Sequence, residues 1–108
     1  MNWMPLESQE QLDEILRNSK EKTQLIFKHS TRCSISLMAK DRLDRSMLSD
    51  NINCYYLDLL AHRNISNKIA DVFSVQHESP QVLLIKNGNC TYDESHSAIS
   101  PDEILANA

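Results

Sequence analysis

Glycine occurs once in this 108-residue chain, at Gly88. A phosphate-cradling loop needs several glycines, so nucleotide binding through such a loop is excluded. The chain has no run of lysine and arginine, and its net charge is −4. That balance excludes the basic footprint of a nucleic-acid-binding protein. No apolar stretch approaches the length that crosses a bilayer, so no membrane partner is expected. The start, Met-Asn-Trp-Met-Pro, lacks the basic segment and long apolar region of a secretory signal, and a cytoplasmic location is the expectation. Cysteine is sparse: Cys33, Cys54 and Cys90 are an odd number and form no Cys-x-x-Cys pair. In a reducing compartment they are expected to be free thiols. The four histidines, His29, His62, His77 and His96, show no metal-site spacing to the cysteines, so no metal is expected.

What is present fits a single domain over residues 1–108, with 41% apolar residues to fill one core. Ser8 and Gln11 have the spacing of a capping box, and Leu12, Ile15 and Leu16 follow on one helical face. Leu25-Ile26-Phe27 reads as a strand buried on both sides. After the loop His29-Ser30-Thr31 comes Cys33, then a helical pattern of Ile35, Met38, Ala39, Leu43 and Met47. Cys54-Tyr55-Tyr56-Leu57 reads as a second strand. Asn64 or Ser66 is expected to cap a helix holding Ile65, Ile69, Val72 and Phe73 on its apolar face. Ser79-Pro80 precedes a third strand, Val82–Ile85. Lys86-Asn87-Gly88-Asn89 signals a hairpin to an edge strand at Cys90-Thr91-Tyr92. Ser100-Pro101-Asp102-Glu103 carries three helix-start signals together, and Ile104 and Leu105 follow as an apolar face. Strands alternating with helices predict an α/β domain whose sheet begins parallel and ends with an antiparallel hairpin.

Cys33 is the candidate nucleophile. It follows a buried strand and stands where a helix begins. The first N–H groups of a helix have no intrahelical partner, and with the macrodipole they favour an anion. A thiolate is that anion, and it is the form that attacks disulfides. Ser36, three residues on, is placed to donate a hydrogen bond to the sulfur. Lys28 and Arg32 are expected to add positive charge nearby. His29, four residues before the cysteine, is either an imidazolium supporting the thiolate or an ordinary histidine at a strand end. The bland alternative for Cys33 itself is a small buried hydrophobe. The strand-loop-cysteine-helix setting argues against it. Cys54, beside two tyrosines, reads as packing, and Cys90 as a surface thiol with no role. His77 and Glu78, before Pro80, are candidates to contact a bound thiol. His62 and His96 read as surface residues, and Trp3 as a core or rim side chain.

The segment Phe27-Lys28-His29-Ser30-Thr31-Arg32-Cys33-Ser34-Ile35-Ser36 resembles the active-site stretch of the YtxJ family of bacillithiol-system redox proteins. Val75-Gln76-His77-Glu78-Ser79-Pro80-Gln81 resembles that family's proline loop, and the resemblance covers nearly the whole chain. It implies a thioredoxin-like fold, a mixed central sheet flanked by helices, and a monothiol bacilliredoxin role. Cys33 then matches the active cysteine. Ser36 matches the serine that stands where thioredoxins carry a resolving cysteine. Pro80 matches a cis-proline facing the sulfur, and Ser79 the residue whose backbone pairs with a bound thiol or peptide. Ser34 departs from the pattern, which has proline directly after the cysteine. Serine there leaves one more N–H to approach the sulfur. No cofactor is implied. The co-substrate would be bacillithiol or another low-molecular-weight thiol, and the partners would be S-thiolated cytosolic proteins.

Two readings from other classes fit parts of the pattern. Monothiol glutaredoxins also carry Cys-x-x-Ser and some hold an iron–sulfur cluster, but the Gly-Phe expected inside that motif is Ser34-Ile35 here. A non-catalytic interaction module on the same fold is the other, since a fold alone does not establish chemistry.

Overall fold

A computed structural model describes residues 2–46, 48 and 51–108. In chain order these form β1 (Met4–Pro5), α1 (Gln9–Asn18), β2 (Thr23–His29), α2 (Ser34–Arg45), β3 (Ile52–Asp58), α3 (Arg63–Phe73), β4 (Gln81–Lys86), β5 (Asn89–Ser95) and α4 (Pro101–Asn107). A one-turn 3-10 helix at His96–Ala98 links β5 to α4. The sheet order is β1-β3-β2-β4-β5. β1, β3 and β2 are parallel, whereas β4 runs antiparallel to β2 and β5 antiparallel to β4. No helix among the described residues is long and apolar enough to cross a membrane.

Strand alternation sorts the core into two layers. Ile26, Tyr55, Leu57, Leu83 and Ile85 face α1 and α3, where Leu12, Ile15, Ile65, Ile69 and Phe73 meet them. Leu25, Phe27, Cys54, Val82 and Leu84 face the other way, toward Ala39 and Leu43 of α2 and Ile104 of α4. β2 lies in the middle of the sheet and is covered on both faces. That is why its apolar run is continuous rather than alternating.

Local signals explain most element ends. Ser8 and Gln11 form the reciprocal capping box of α1. Asn87 and Gly88 both have positive φ, 53° and 78°, as a two-residue hairpin turn requires, and asparagine and glycine tolerate it best. Pro101 opens α4 at its first position, with Ser100 as the N-cap, though the Ser100 side chain makes no capping bond.

Three expectations are corrected. α3 starts at Arg63 with His62 as its N-cap, so Asn64 and Ser66 lie inside the helix. Ser66 is buried there. The buried stripe of α2 is Ser36, Ala39 and Leu43, whereas Ile35, Leu37 and Met38 are 49%, 51% and 63% exposed. Small side chains at 36 and 39 let the helix approach the sheet, and the larger apolar residues turn outward. Met47, expected on the same face, lies outside the described residues. The two-residue β1 was not anticipated; it brings half-buried Trp3 against Phe27, and Trp3 Nε1 donates to Asp44 Oδ1 at 2.6 Å.

Candidate active site

β2 and β3 run parallel and end together at His29 and Asp58, where Leu59 N donates to His29 O at 3.1 Å. The chain leaves β2, turns through Ser30–Arg32 and enters α2. Cys33 is the N-cap of α2, with an extended backbone (φ −105°, ψ 121°). Its N–H donates to Ser30 O at 3.2 Å and its carbonyl accepts from Leu37 N at 3.0 Å, so the backbone on both sides of the sulfur is fixed. The thiol is half-buried and makes no capping hydrogen bond of its own. Cys33 is thus the residue next to the first N–H groups of α2, which have no carbonyl partner within the helix. Ser34, the first helical residue, is exposed beside it, and so is Arg32.

Ser36 does not serve the sulfur as the sequence suggested. It is fully buried, its Oγ shares a hydrogen bond with His29 Nδ1 at 2.6 Å, and it accepts from Ser30 N at 3.0 Å. A half-buried amide and a buried imidazole both need a partner, and one hydroxyl satisfies both. The effect is structural: Ser36 ties the end of β2, the following loop and the first turn of α2 into one unit beneath Cys33.

His29 is 1% exposed and lies between the rings of Phe27 and Tyr56, at centroid distances of 5.5 and 5.3 Å. Burial, with Lys40 adding to it, holds its pKa below the ordinary histidine value despite the opposing pull of Asp58, Asp44 and Ser36. It is a neutral imidazole at neutral pH, so the imidazolium expected to support the thiolate is not formed.

Lys28 is also displaced from its expected place. Phe27 and His29 point toward α2, so the residue between them points to the opposite face. There Lys28 is fully buried, with Nζ 3.2 Å from Ser66 O and 3.3 Å from His77 Nδ1. Burial pulls its pKa down to about 8. It lies too deep to touch a substrate, and any influence on the site passes through its neighbours.

The Ser79–Pro80 peptide is cis, as expected. Because β4 runs antiparallel to β2, with Gln81 opposite Lys28, this peptide lies at the sheet end from which the Cys33 loop departs. Pro80 is buried. Ser79 Oγ and Gln81 Oε1, on either side of it, are buried without a hydrogen-bond partner among the described residues. Glu78 pairs with His96 at 3.5 Å.

The other two cysteines are kept as thiols. Burial in the α2-side core pushes Cys54 up to about 11. Burial also raises Cys90, whose Sγ lies 3.4 Å from Tyr92 O. Among the described residues no group of three or more His, Cys, Asp or Glu is placed to hold a metal ion.

The family resemblance implied a cis-proline facing Cys33, and the structure has Cys33, Ser34, Ser79 and Pro80 at one end of the sheet. The sequence reading missed that His29 and Ser36 bond each other, seven positions apart, and that Lys28 meets His77, 49 positions away. A partner for the first pair was inferable, since a histidine after a fully buried strand needs one. Nothing local signals the second.

The arrangement resembles known proteins throughout its length. A solved thioredoxin-fold protein proposed to be an oxidoreductase is 28% identical, with a TM-score of 0.85, covering 96% of this chain and 91% of that one. Thioredoxin from Trypanosoma brucei brucei matches with a TM-score of 0.78 at 11% identity, covering 98% of this chain and 87% of that one. Thioredoxin from Malassezia sympodialis matches at 0.74 and 16% identity, covering 97% and 86%. The fold is that of thioredoxin. Residues 4–104 match the family model of the monothiol bacilliredoxin BrxC. This chain belongs to the monothiol bacilliredoxin BrxC family.

Proposed function

We propose that this thiol-redox protein removes bacillithiol from S-thiolated proteins through a mixed disulfide on Cys33. The observation that carries the reading is the monothiol arrangement. Cys33 caps α2 at the sheet end, and the position three residues on is a serine whose oxygen is already engaged by His29 and Ser30. A second thiol there would close an internal disulfide and expel the product. Ser36 cannot, so the product must leave by attack of an outside thiol.

Cys33 thiolate attacks the small-thiol sulfur of a protein–S–S–R disulfide. The Cys33–S–S–R bond forms, and the target cysteine departs as thiolate and takes a proton. A second small thiol, as thiolate, then attacks the R sulfur on Cys33. Cys33 is released, and the small thiol leaves as its symmetrical disulfide. No metal or cofactor enters.

Ser79 and Ser34 are the groups assigned to binding. Ser79 precedes the cis-proline, the place from which its backbone would pair with an extended thiol or peptide, and its hydroxyl has no partner among the described residues. Ser34, at the first helical position, would offer its N–H to the sulfur of a bound thiol. Ile35, Leu37 and Met38 are exposed apolar side chains in the first turns of the helix that Cys33 caps, which suits a protein target rather than a lone small molecule.

The test compares one target protein carrying bacillithiol with the same target carrying glutathione. Faster release of bacillithiol is the expected result. Equal or faster release of glutathione would contradict the assignment of the small thiol, and release of neither would contradict the activity.

A further inference from the structure

Lys28 carries a cost that its surroundings do not explain as packing. A buried amine is expensive, and among the described residues Lys28 has no ion-pair partner. Its two contacts are Ser66 O at 3.2 Å and His77 Nδ1 at 3.3 Å. A lysine ammonium only donates. His77 Nδ1 must then accept, which fixes His77 as a neutral imidazole protonated on Nε2. Ser66 Oγ, 3.3 Å from the same nitrogen, adds a second donor.

His77 belongs to the segment between α3 and β4. That segment leaves α3 at Ser74, in the left-handed conformation, and ends at the cis Ser79–Pro80 peptide. Gln81 Nε2 adds a bond back to Gln76 O at 3.0 Å. Thus the middle of the proline loop is pinned to β2 and α3 by one lysine and one histidine, three residues before Pro80.

We propose that Lys28 is a positioning residue for the exchange reaction, holding the Ser79–Pro80 loop against the Cys33 side of the sheet through His77, and that protonation of His77 opens this latch. The proposal rests on the reading of Cys33 as the exchanging thiol. His77 is exposed, so protons reach it freely. Once protonated at both nitrogens, it no longer accepts from Lys28, and it sets a second cation 3.3 Å from Nζ. The charged groups around it are Lys28 on β2, Arg63 on α3 and Glu78 in the loop itself. Glu78 is drawn the other way by His96 of the 3-10 turn, 3.5 Å distant. Burial first, then Lys28, with Arg63 contributing, lowers the His77 pKa against the pull of Glu78. A depressed histidine binds its proton more weakly folded than unfolded, so the latch is complete at and above the ordinary value of 6.5 and opens only as pH falls through the lower folded-state value.

The test uses proteins with Cys54 and Cys90 replaced by alanine. Each variant is reacted at Cys33 with oxidised glutathione, a peptide disulfide that can pair with Ser79, and separately with iodoacetamide. Both reactions need the thiolate, and only the first needs the loop. Their rate ratio therefore cancels the thiolate fraction. Lys28→Met is expected to lower the ratio about ten- to a hundredfold, the effect of misplacing a binding segment. Its melting temperature at pH 7 is expected to be no lower than that of the parent, because an apolar chain replaces a buried amine. In the parent the ratio falls below pH 6.5; in His77→Gln, whose carbonyl still accepts from Lys28 but does not titrate, it stays flat. An unchanged ratio in Lys28→Met, or an acid fall that survives His77→Gln, overturns the proposal. Should Lys28→Met not fold, the His77→Gln profile decides alone. Glutathione is the probe here, so failure of the bacillithiol assignment would leave this result readable.

Discussion

A Cys33→Ser protein is expected to lose small-thiol exchange entirely, while a protein keeping only Cys33 retains it. Disulfide exchange proceeds through the thiolate, and the three cysteines differ in access to it. Cys54 lies in the core between the sheet and α2, and burial pushes its thiol to about 11. At neutral pH about one molecule in ten thousand carries that thiolate, and the residue is only 7% exposed. Cys90 is half-buried at the edge of the opposite core and is raised too, by burial first, with Asp93 adding to it. Neither stands at a helix start. Cys33 alone combines partial exposure with the unpaired amides of α2. The check is the rate of bacillithiol release from a thiolated target. Cys33→Ser is expected to show no release above the uncatalysed background, because the two remaining thiols are both raised by burial. Residual exchange within tenfold of the parent would assign the chemistry to Cys54 or Cys90.

Ser36→Ala is expected to destabilise the protein by about 2–4 kcal/mol, although it deletes one oxygen atom. That oxygen satisfies a buried group, His29 Nδ1 at 2.6 Å, and a half-buried one, Ser30 N at 3.0 Å. Each buried polar group left without a partner costs about 1–3 kcal/mol. His29 is 1% exposed and packed between aromatic rings, so water cannot replace the lost partner without loosening that packing. At about 4–8 °C per kcal/mol for a domain of this size, the melting temperature should fall by about 8–30 °C. Ser34→Ala, two residues away on the exposed side, should change stability by less than about 0.5 kcal/mol. Urea unfolding at pH 7 measures both. Equal stability for the two variants would mean that the Ser36 bonds do not anchor the loop under Cys33.

Much of this architecture was written locally. The Ser8–Gln11 box, the Asn87-Gly88 turn and the Ser100-Pro101 start each act over four residues or fewer, and each set an element boundary. The two-sided burial of β2 was legible in its unbroken apolar run, and Cys33 was legible from following it. The orientation of Lys28 was not. A strand buried on both faces carries no inside–outside alternation, so nothing in Leu25-Ile26-Phe27 says which face α2 will take. The placement of α2 failed for a related reason. Apolar residues at 35, 37, 38, 39 and 43 allow more than one helical stripe, and the sheet chose the one with small side chains at 36 and 39. The start of α3 misled because its N-cap, His62, uses no side-chain bond, while Asn64 and Ser66 look like caps. The Ser36–His29 and Lys28–His77 contacts depend on where whole elements pack, and no short pattern encodes that. These contacts separate the side chain that reacts from those that hold the site in shape.

The most direct measurement starts from the protein with Cys54 and Cys90 replaced by alanine. It is mixed in equal amount with a target carrying one bacillithiol, no free small thiol being present, and both intact masses are recorded. The account predicts that the target loses one bacillithiol and this protein gains one, on Cys33. A target that stays thiolated, or a protein that reacts without carrying the small thiol on Cys33, would contradict it.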